Sequence, residues 1–313
     1  MPHYRFFKTG SLHVTDQITF TDEEYRHIVK VMRLEKGDLL EIVNGNGFLA
    51  TAKISSIDKS CVKCLIEKIH YEKKDEKEFI IAQSIIKPSS LELICEKNTE
   101  LGASEIWVFP ADYSEKESLS DHQIDRISRH FISAIKQSGR LYLPKIRSFS
   151  SLDAILQELG YTFLFGDTCE KKEKIPNKLE TTPVFIVGPE KGFSVEELSL
   201  LKKKKAKGVI LSKNVLRAET ASIAASTLLG ISMILHYFVS HKWKIKWLPE
   251  AGSTLLLGII AGISIFCGRF DHYFGLKELV LIVFYLLRRY NENRPACIHP
   301  VIIIIPKRSI RCD

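Results

Sequence analysis

The chain has 313 residues, of which 45% are apolar and 26% charged, a balance typical of a folded protein of about two domains that excludes wholesale disorder. Seven cysteines are too few for a disulfide scaffold, and the residues after Met1 lack the pattern of a signal peptide, so we expect a reducing, cytoplasmic setting. The net charge of +8 would favour an anionic partner, but residues 1–240 carry only +2 of it and residues 241–313 carry +6.

Residues 1–70 predict a small β-rich domain with one helix, and the highly charged residues 71–78 predict a linker after it. Thr21 and Glu24 have the spacing of a capping box at the start of that helix. Residues 44–47, Asn-Gly-Asn-Gly, favour a hairpin turn. The predicted strands are Leu39–Val43, Phe48–Ile57 and Val62–Ile69.

Apolar strand-like runs alternate with helical patterns over residues 79–240. The predicted strands are Phe79–Ile86, Glu105–Phe109, Tyr161–Phe165, Val184–Val187 and Gly208–Leu211. The predicted helices are Ser89–Leu101, His122–Ser138, Leu152–Leu159, Glu196–Lys203 and Ala218–Val239. Strands separated by helices predict a largely parallel sheet, whose ligands bind beyond the carboxyl ends of the strands. The loops after Val187 and Leu211 are therefore the first places to look for a site.

Both loops have residues suited to binding a ligand. Residues 188–194 contain two glycines and a proline directly after a strand, so the backbone there can approach a ligand, and Ser194 can cap the next helix. Residues 212–221 lead into a helix that begins near Arg217, where a cation is mildly unfavourable against the helix dipole. Taken alone, each loop is also consistent with an ordinary strand-to-helix connection.

Five segments, taken in order, resemble one family, the RsmE-type 16S ribosomal RNA (uracil(1498)-N3)-methyltransferases. Each segment is moderately specific, and their order over roughly 235 residues makes the match specific. The segments are Tyr25–Leu34 with Lys36-Gly37-Asp38, Glu96–Ile106, Lys136–Arg140 with Pro144, Gly188–Phe193, and Leu216–Ala221.

The resemblance implies a small N-terminal PUA-like RNA-binding β-barrel, residues 1–70, followed by a SPOUT α/β methyltransferase domain with a trefoil knot, residues 79–240. It implies S-adenosyl-L-methionine as cofactor, 16S ribosomal RNA or the small ribosomal subunit as partner, and a homodimer. The cofactor-binding residues it implies are Gly188, Pro189, Glu190, Gly192, Leu211, Leu216, Thr220 and Ala221. A catalytically inactive RNA-binding or membrane-tethered relic of the family is the alternative.

Arg217 and Glu219 are the candidate catalytic residues. The planar, permanently charged guanidinium of Arg217 suits an electrostatic role toward the uracil anion or its phosphate. Glu219 is either a base or a partner that holds Arg217, and we favour the partner role. The candidate RNA-binding residues are Arg26, Lys30 and Arg33 on one helix face, with Lys136 and Arg140 near a glycine turn. A merely solvated face explains the first three equally well.

Three residues depart from the family pattern. Lys191 stands where a second glycine is common, Ser212 where a glycine usually follows the strand, and Tyr113 where many members carry an arginine. No metal is expected, because Cys61 and Cys64 are a lone pair without further ligands at zinc spacing.

Residues 241–313 form an atypical hydrophobic and basic tail. Residues 248–266 contain a single charged residue, Glu250, and are long enough to span a hydrocarbon core of ~30 Å. Residues 243–287 resemble the N-terminal transmembrane segment of sodium/proton exchangers, without the later helices that carry ions. Three interpretations stay open: a membrane anchor, a buried helix with a disordered end, and a chimeric or wrongly assigned reading frame. We favour the last, because the methyltransferase pattern ends near Val239.

Overall fold

A computed structural model describes residues 4–75, 77–167 and 181–237 of the chain. The tail, with its candidate span at 248–266 and the exchanger-like residues 243–287, lies outside the described residues. In the part of the chain that the structure describes, no helix combines the length and the apolar character needed to cross a membrane.

The N-terminal part of the chain forms a five-stranded sheet. Its strands are β1 (Arg5–Phe7), β2 (Gln17–Phe20), β3 (Leu39–Val43), β4 (Phe48–Ile57) and β5 (Val62–Tyr71), in the order β1-β3-β4-β5-β2. β1 pairs with β3 in parallel, and the other pairs are antiparallel. Helix α1 (Asp22–Arg26) continues into a π-helical turn at His27–Val31, whose Ile28 is buried in the core with Phe6 and Ile42. The three predicted strands are confirmed.

The predicted capping box at Thr21 is wrong. The hydroxyl of Thr21 donates a hydrogen bond to the Asp22 carboxylate at 2.9 Å, and no side chain caps α1. Because the hydroxyl is turned toward its neighbour, it does not accept the backbone N–H that a capping box requires.

The second part of the chain is built around a six-stranded parallel sheet. Its strands are β6 (Ile80–Ser84), β7 (Glu105–Phe109), β8 (Lys145–Ser148), β9 (Tyr161–Gly166), β10 (Thr182–Val187) and β11 (Lys207–Val209), in the order β11-β9-β10-β6-β7-β8. The helices are α2 (Pro88–Glu100), α3 (Asp121–Ser138), α4 (Leu152–Leu156), α5 (Val195–Lys203) and α6 (Ala218–Tyr237). All the sheet pairs are parallel, as the alternating pattern predicted.

Helices cover both faces of the parallel sheet. The apolar cluster on one face contains residues of α2, α3 and α6, and the cluster on the other contains residues of α4 and α5. Because β7 and β10 are buried between the two layers, their sequences are nearly continuous apolar runs.

A backbone bridge joins the two sheets at the predicted hairpin. Leu143 N–H donates to the Gly45 carbonyl at 2.9 Å, and Gly47 N–H donates to the Leu141 carbonyl at 3.0 Å. The hydroxyl of Tyr142 also donates to the carbonyl of Glu72 at 2.7 Å. The segment after Arg140, which belongs to one of the family-like motifs, therefore docks the hairpin of the first sheet against the second part of the chain.

Gly47 tests this bridge. Its φ is +88°, and a β-carbon there would lie 2.6 Å from the Glu72 carbonyl oxygen, so Gly47→Ala combines backbone strain with a clash. Gly10→Ala is the matched control, because Gly10 has φ +104° but open space around its β-carbon position. We expect Gly47→Ala to lower the free energy of urea unfolding by about 1–3 kcal/mol more than Gly10→Ala does. Equal losses in the two variants would contradict the bridge.

Candidate active site

The carboxyl ends of the parallel strands bring the two predicted loops to one edge of the sheet. Residues 188–193, here called the glycine loop, follow β10. Residues 210–217, here called the arginine loop, leave β11 at the margin of the sheet and return to α6, which packs over β10 and β6. Leu211 packs against the apolar cluster that contains Val187 and Ala218, so both loops start from the same core.

The glycine loop is a tight turn with little side-chain cover. Gly192 N–H donates to the Pro189 carbonyl at 2.9 Å, and Gly192 has φ +80° with open space at its β-carbon position. A β-carbon on Gly188 would lie 3.2 Å from the Phe193 ring, so glycine lets the ring fold back under the loop. Pro189 is buried and Glu190 is exposed.

A capping box fixes the end of the glycine loop. Ser194 accepts the Glu197 N–H at 3.0 Å, and the Glu197 carboxylate accepts the Ser194 N–H at 2.9 Å. Asp112, in the loop after β7, joins this pair: its carboxylate accepts the Ser194 hydroxyl and its N–H donates to Glu197 at 3.1 Å. Burial raises the pKa of the Glu197 carboxyl, which its backbone hydrogen bonds oppose.

Glu219 lies in the first turn of α6 and is held by the start of α2. The Ser90 hydroxyl donates a hydrogen bond to the Glu219 carboxylate. That bond is the largest cause of the lowered pKa of Glu219, and the positive charges of Arg217 and Lys87 act in the same direction. Glu219 is therefore a carboxylate with a suppressed basicity, which suits a partner more than a base.

Arg217 lies exposed at the end of the arginine loop. Its backbone carbonyl accepts the Ala221 N–H at 2.8 Å, which fixes the start of α6. Within the described ranges no hydrogen bond or ion pair engages the guanidinium, whose charge acts on Glu219 nearby. Thr220 is exposed, and Leu216 and Ala221 are half-buried. The predicted site residues of both loops thus lie at one edge of the sheet, with a charged guanidinium available to a ligand.

Buried hydrogen bonds fix α6 against α2. The Asn98 amide, fully buried, donates to the Ser222 hydroxyl at 2.8 Å and accepts from the Ser226 hydroxyl. Because buried polar groups need partners, this amide selects one register of α6 along α2.

The structure separates the five candidate RNA-binding residues into two groups. Arg26, Lys30 and Arg33 are exposed on α1 and the turn that follows it. Lys136 instead donates to Glu24 at 2.8 Å and lies over the Phe6 ring, and so joins α3 to the first sheet. Arg140 also makes hydrogen bonds within the fold.

Arg140 closes the C-terminal end of α2. Its guanidinium donates to the carbonyls of Thr99 at 3.0 Å and Ala103 at 2.7 Å. Burial lowers its pKa to about 10. These contacts give Arg140 a structural role that does not involve RNA, since a cation at a helix C-terminus is stabilising.

Several residues of this edge escape sequence reasoning. Ser194 followed by Glu197 has the capping-box spacing, so Glu197 could have been found by that signal. Ser90 and Asp112 have no local signal, because their partners are 129 and 82 residues away. Gln83 pairs in register with Val187, is fully buried, and its Oε1 has no hydrogen-bond partner among the described residues.

Two family models match the chain. A model described as RNA methyltransferase domain matches residues 73–230, and one described as RNA methyltransferase PUA domain matches residues 20–67. Both end before residue 241, so they give no support to the exchanger-like interpretation of residues 243–287.

Relatives and solved structures agree with the family models. The ribosomal RNA small subunit methyltransferase E of Rickettsia conorii is 30% identical over 232 residues, which are 72% of this chain and 94% of the relative. The enzyme of the same name from Bacillus subtilis is 27% identical over 66% of this chain and 87% of its own length.

A structure of ribosomal RNA small subunit methyltransferase E from Neisseria gonorrhoeae, bound to S-adenosyl methionine, matches with a TM-score of 0.65 at 24% identity. The match covers 72% of this chain and 96% of that structure. A predicted RNA methyltransferase from Thermotoga maritima matches with a TM-score of 0.60 at 26% identity, over 74% and 99% of the two chains. The predicted fold class is confirmed as a PUA-like domain followed by an α/β methyltransferase domain built on a parallel sheet. The chain belongs to the ribosomal RNA small subunit methyltransferase E family.

Proposed function

We propose that the protein transfers the methyl group of S-adenosyl-L-methionine to N3 of a uridine in small-subunit ribosomal RNA. The observation that carries the proposal is that the glycine loop and the arginine loop lie at one sheet edge, with Arg217 exposed at the end of the arginine loop and Glu219 held by Ser90. Family membership supplies the reaction class. An inactive relic is not favoured, because relatives that match most of the chain are named as methyltransferases and a structural neighbour is bound to S-adenosyl methionine.

The residues of this edge fit S-adenosyl-L-methionine. The half-buried Leu211 and Leu216 offer apolar contacts, and the open backbone at Gly192 lets a ligand approach. The buried, unpartnered Oε1 of Gln83 is an acceptor for one of the cofactor's donors. When bound, the cofactor supplies a methyl group on a positively charged sulfur. We propose Gly188, Pro189, Glu190, Gly192, Leu211, Leu216, Thr220 and Ala221 as the residues that hold it.

The protein's own contribution is mainly positioning and electrostatics. Holding two reactants at bonding distance can supply roughly 7–11 kcal/mol of the barrier. Arg217 stabilises the uracil anion that remains after N3 has given its proton to solvent water, because its charge persists at any physiological pH. Glu219, held by Ser90 and with its lowered pKa, stays ionised near Arg217 and acts on it through charge, without a direct contact.

RNA binding is assigned to the exposed cations Arg26, Lys30 and Arg33 on α1 and the turn after it, with residues 1–70 as the RNA-binding domain and residues 79–240 as the methyltransferase domain. A homodimer is part of the proposal, and the exposed Leu228 and Ile231 on α6 are apolar surface that a partner copy would cover.

A ribosomal substrate is the reason to expect action in the cytoplasm.

Arg217→Ala tests the catalytic assignment. We expect kcat for methyl transfer to fall by about 10²–10³ with little change in the Kd for S-adenosyl-L-methionine, because a charged donor aimed at the developing anion is lost. Lys213→Ala, which removes an exposed cation from the same loop, is the control and should keep the wild-type rate. Wild-type turnover in Arg217→Ala would refute the role of Arg217.

Ser90→Ala tests whether Glu219 is anchored. The lowered pKa of folded Glu219 means that its anchoring stabilises the protein above the carboxyl's unfolded pKa and that this contribution disappears as the pH falls through the folded pKa. We expect Ser90→Ala to lower the free energy of unfolding by about 1 kcal/mol at neutral pH, and the difference from wild type to shrink in acid. Ser89→Ala removes an exposed neighbouring hydroxyl and should cost less at every pH. A pH-independent loss would show that the hydrogen bond does not depend on the charge of Glu219.

Lys30→Ala tests the RNA face. We expect weaker binding of small-subunit RNA and a slope of log K against log salt that is less steep by about 0.7–0.9, as one phosphate contact is lost. Arg140→Ala should instead lower the free energy of unfolding, because it leaves the carbonyls at the end of α2 without their donor. An unchanged salt slope in Lys30→Ala would remove that residue from the interface.

A further inference from the structure

The loop after β7 presents an exposed aromatic side chain at the same sheet edge as the active site. Ser114 N–H donates to the Ala111 carbonyl at 2.9 Å, and Ala111 N–H donates to the Ser114 hydroxyl at 3.0 Å, so residues 111–114 form a closed turn. Tyr113 lies at its tip and is 49% exposed. Within the described ranges its side chain makes no ring contact or hydrogen bond.

This turn is tied directly to the glycine loop. Asp112 accepts the hydroxyl of Ser194, the residue after Phe193, and donates its N–H to Glu197. Because these bonds are partly or fully buried, they hold the turn in place against the end of the glycine loop. Tyr113, one residue from Asp112, is therefore presented in a fixed position beside the proposed cofactor site.

The surroundings of Tyr113 favour nucleic acid over a small molecule. Val195, next to Ser194, and Val215, in the arginine loop, are also exposed apolar side chains on this edge. Lys191 in the glycine loop and Arg217 in the arginine loop are exposed cations at this sheet edge, whereas Asp112 and Glu115 beside Tyr113 are exposed anions. An exposed ring at an edge that also carries cations suits single-stranded nucleic acid, because the ring can stack on a base while the cations neutralise phosphates.

We propose that Tyr113 stacks on a base of the substrate RNA and so positions the target nucleotide at the cofactor site. The inference rests on the proposed function, since it assigns a substrate contact to the same reaction. Tyr113 is a positioning residue: its ring binds RNA, and its hydroxyl and the cofactor take no part in the contact.

The experiment uses the full-length protein and three variants. Tyr113→Phe keeps the ring, Tyr113→Ala removes it, and Leu159→Ala removes an exposed apolar side chain from the loop before β9, at the opposite, amino-terminal edge of the sheet. For each we would measure KM and kcat with methyl-deficient small-subunit RNA, the Kd for S-adenosyl-L-methionine, and the slope of log K for RNA against log salt.

Stacking predicts one pattern across these readouts. Tyr113→Ala raises the KM for RNA by about tenfold or more, the loss that removing one base–aromatic stack causes, while its Kd for the cofactor and its salt slope stay at wild-type values. Tyr113→Phe and Leu159→Ala keep the wild-type KM.

Other outcomes would overturn the inference. A wild-type KM in Tyr113→Ala would show that the ring does not contact RNA, and an equal loss in Tyr113→Phe would assign the effect to the hydroxyl. A weakened cofactor Kd in Tyr113→Ala would assign it to the fold of the glycine loop. The proposed function fails separately, if the wild-type protein methylates no RNA at all.

Discussion

The contact of α6 with α2 determines where the active site forms. One buried amide, Asn98, is satisfied by two serines of α6, and an α6 shifted along its axis would leave that amide without partners. The first turn of α6 is fixed by the same pairing, because Glu219 reaches Ser90 at the start of α2. The arginine loop then ends at the sheet edge that also carries the glycine loop, and Arg217 is exposed there. The chemistry of the site thus depends on a polar contact outside it.

A second set of contacts decides how an RNA-binding surface can serve that site. The hairpin of the first sheet is bridged to the segment around Tyr142, and Lys136 pairs with Glu24 across the same contact. Through these bonds, the family-like motif that contains Arg140 connects the two sheets. RNA held by the exposed cations near Lys30 would therefore meet the methyltransferase sheet in a defined orientation, which a flexible linker would not provide.

The sequence predicted the parallel sheet because its strand-like runs are separated by helical patterns, which require crossover connections. It missed β1, β2 and β8, which have three or four residues each, because such short strands carry too few positions to show a pattern. The two site loops followed from the strand ends. The hydrogen-bond partners of Glu219 and Ser194 could not be predicted, because Ser90 and Asp112 are distant from them in the chain. An RNA contact was predicted for Lys136 and Arg140 from their charge. The structure shows that both also have partners within the fold, which a sequence alone does not reveal.

The central claim is methyl transfer to N3 of a uridine in small-subunit RNA, and one measurement tests it most directly. The full-length protein is incubated with S-adenosyl-L-methionine labelled in its methyl group and with small ribosomal subunits that lack the modification, and the RNA is then digested to nucleosides. The account predicts label in N3-methyluridine. No incorporation, or label at a base carbon or a ribose hydroxyl, would contradict it.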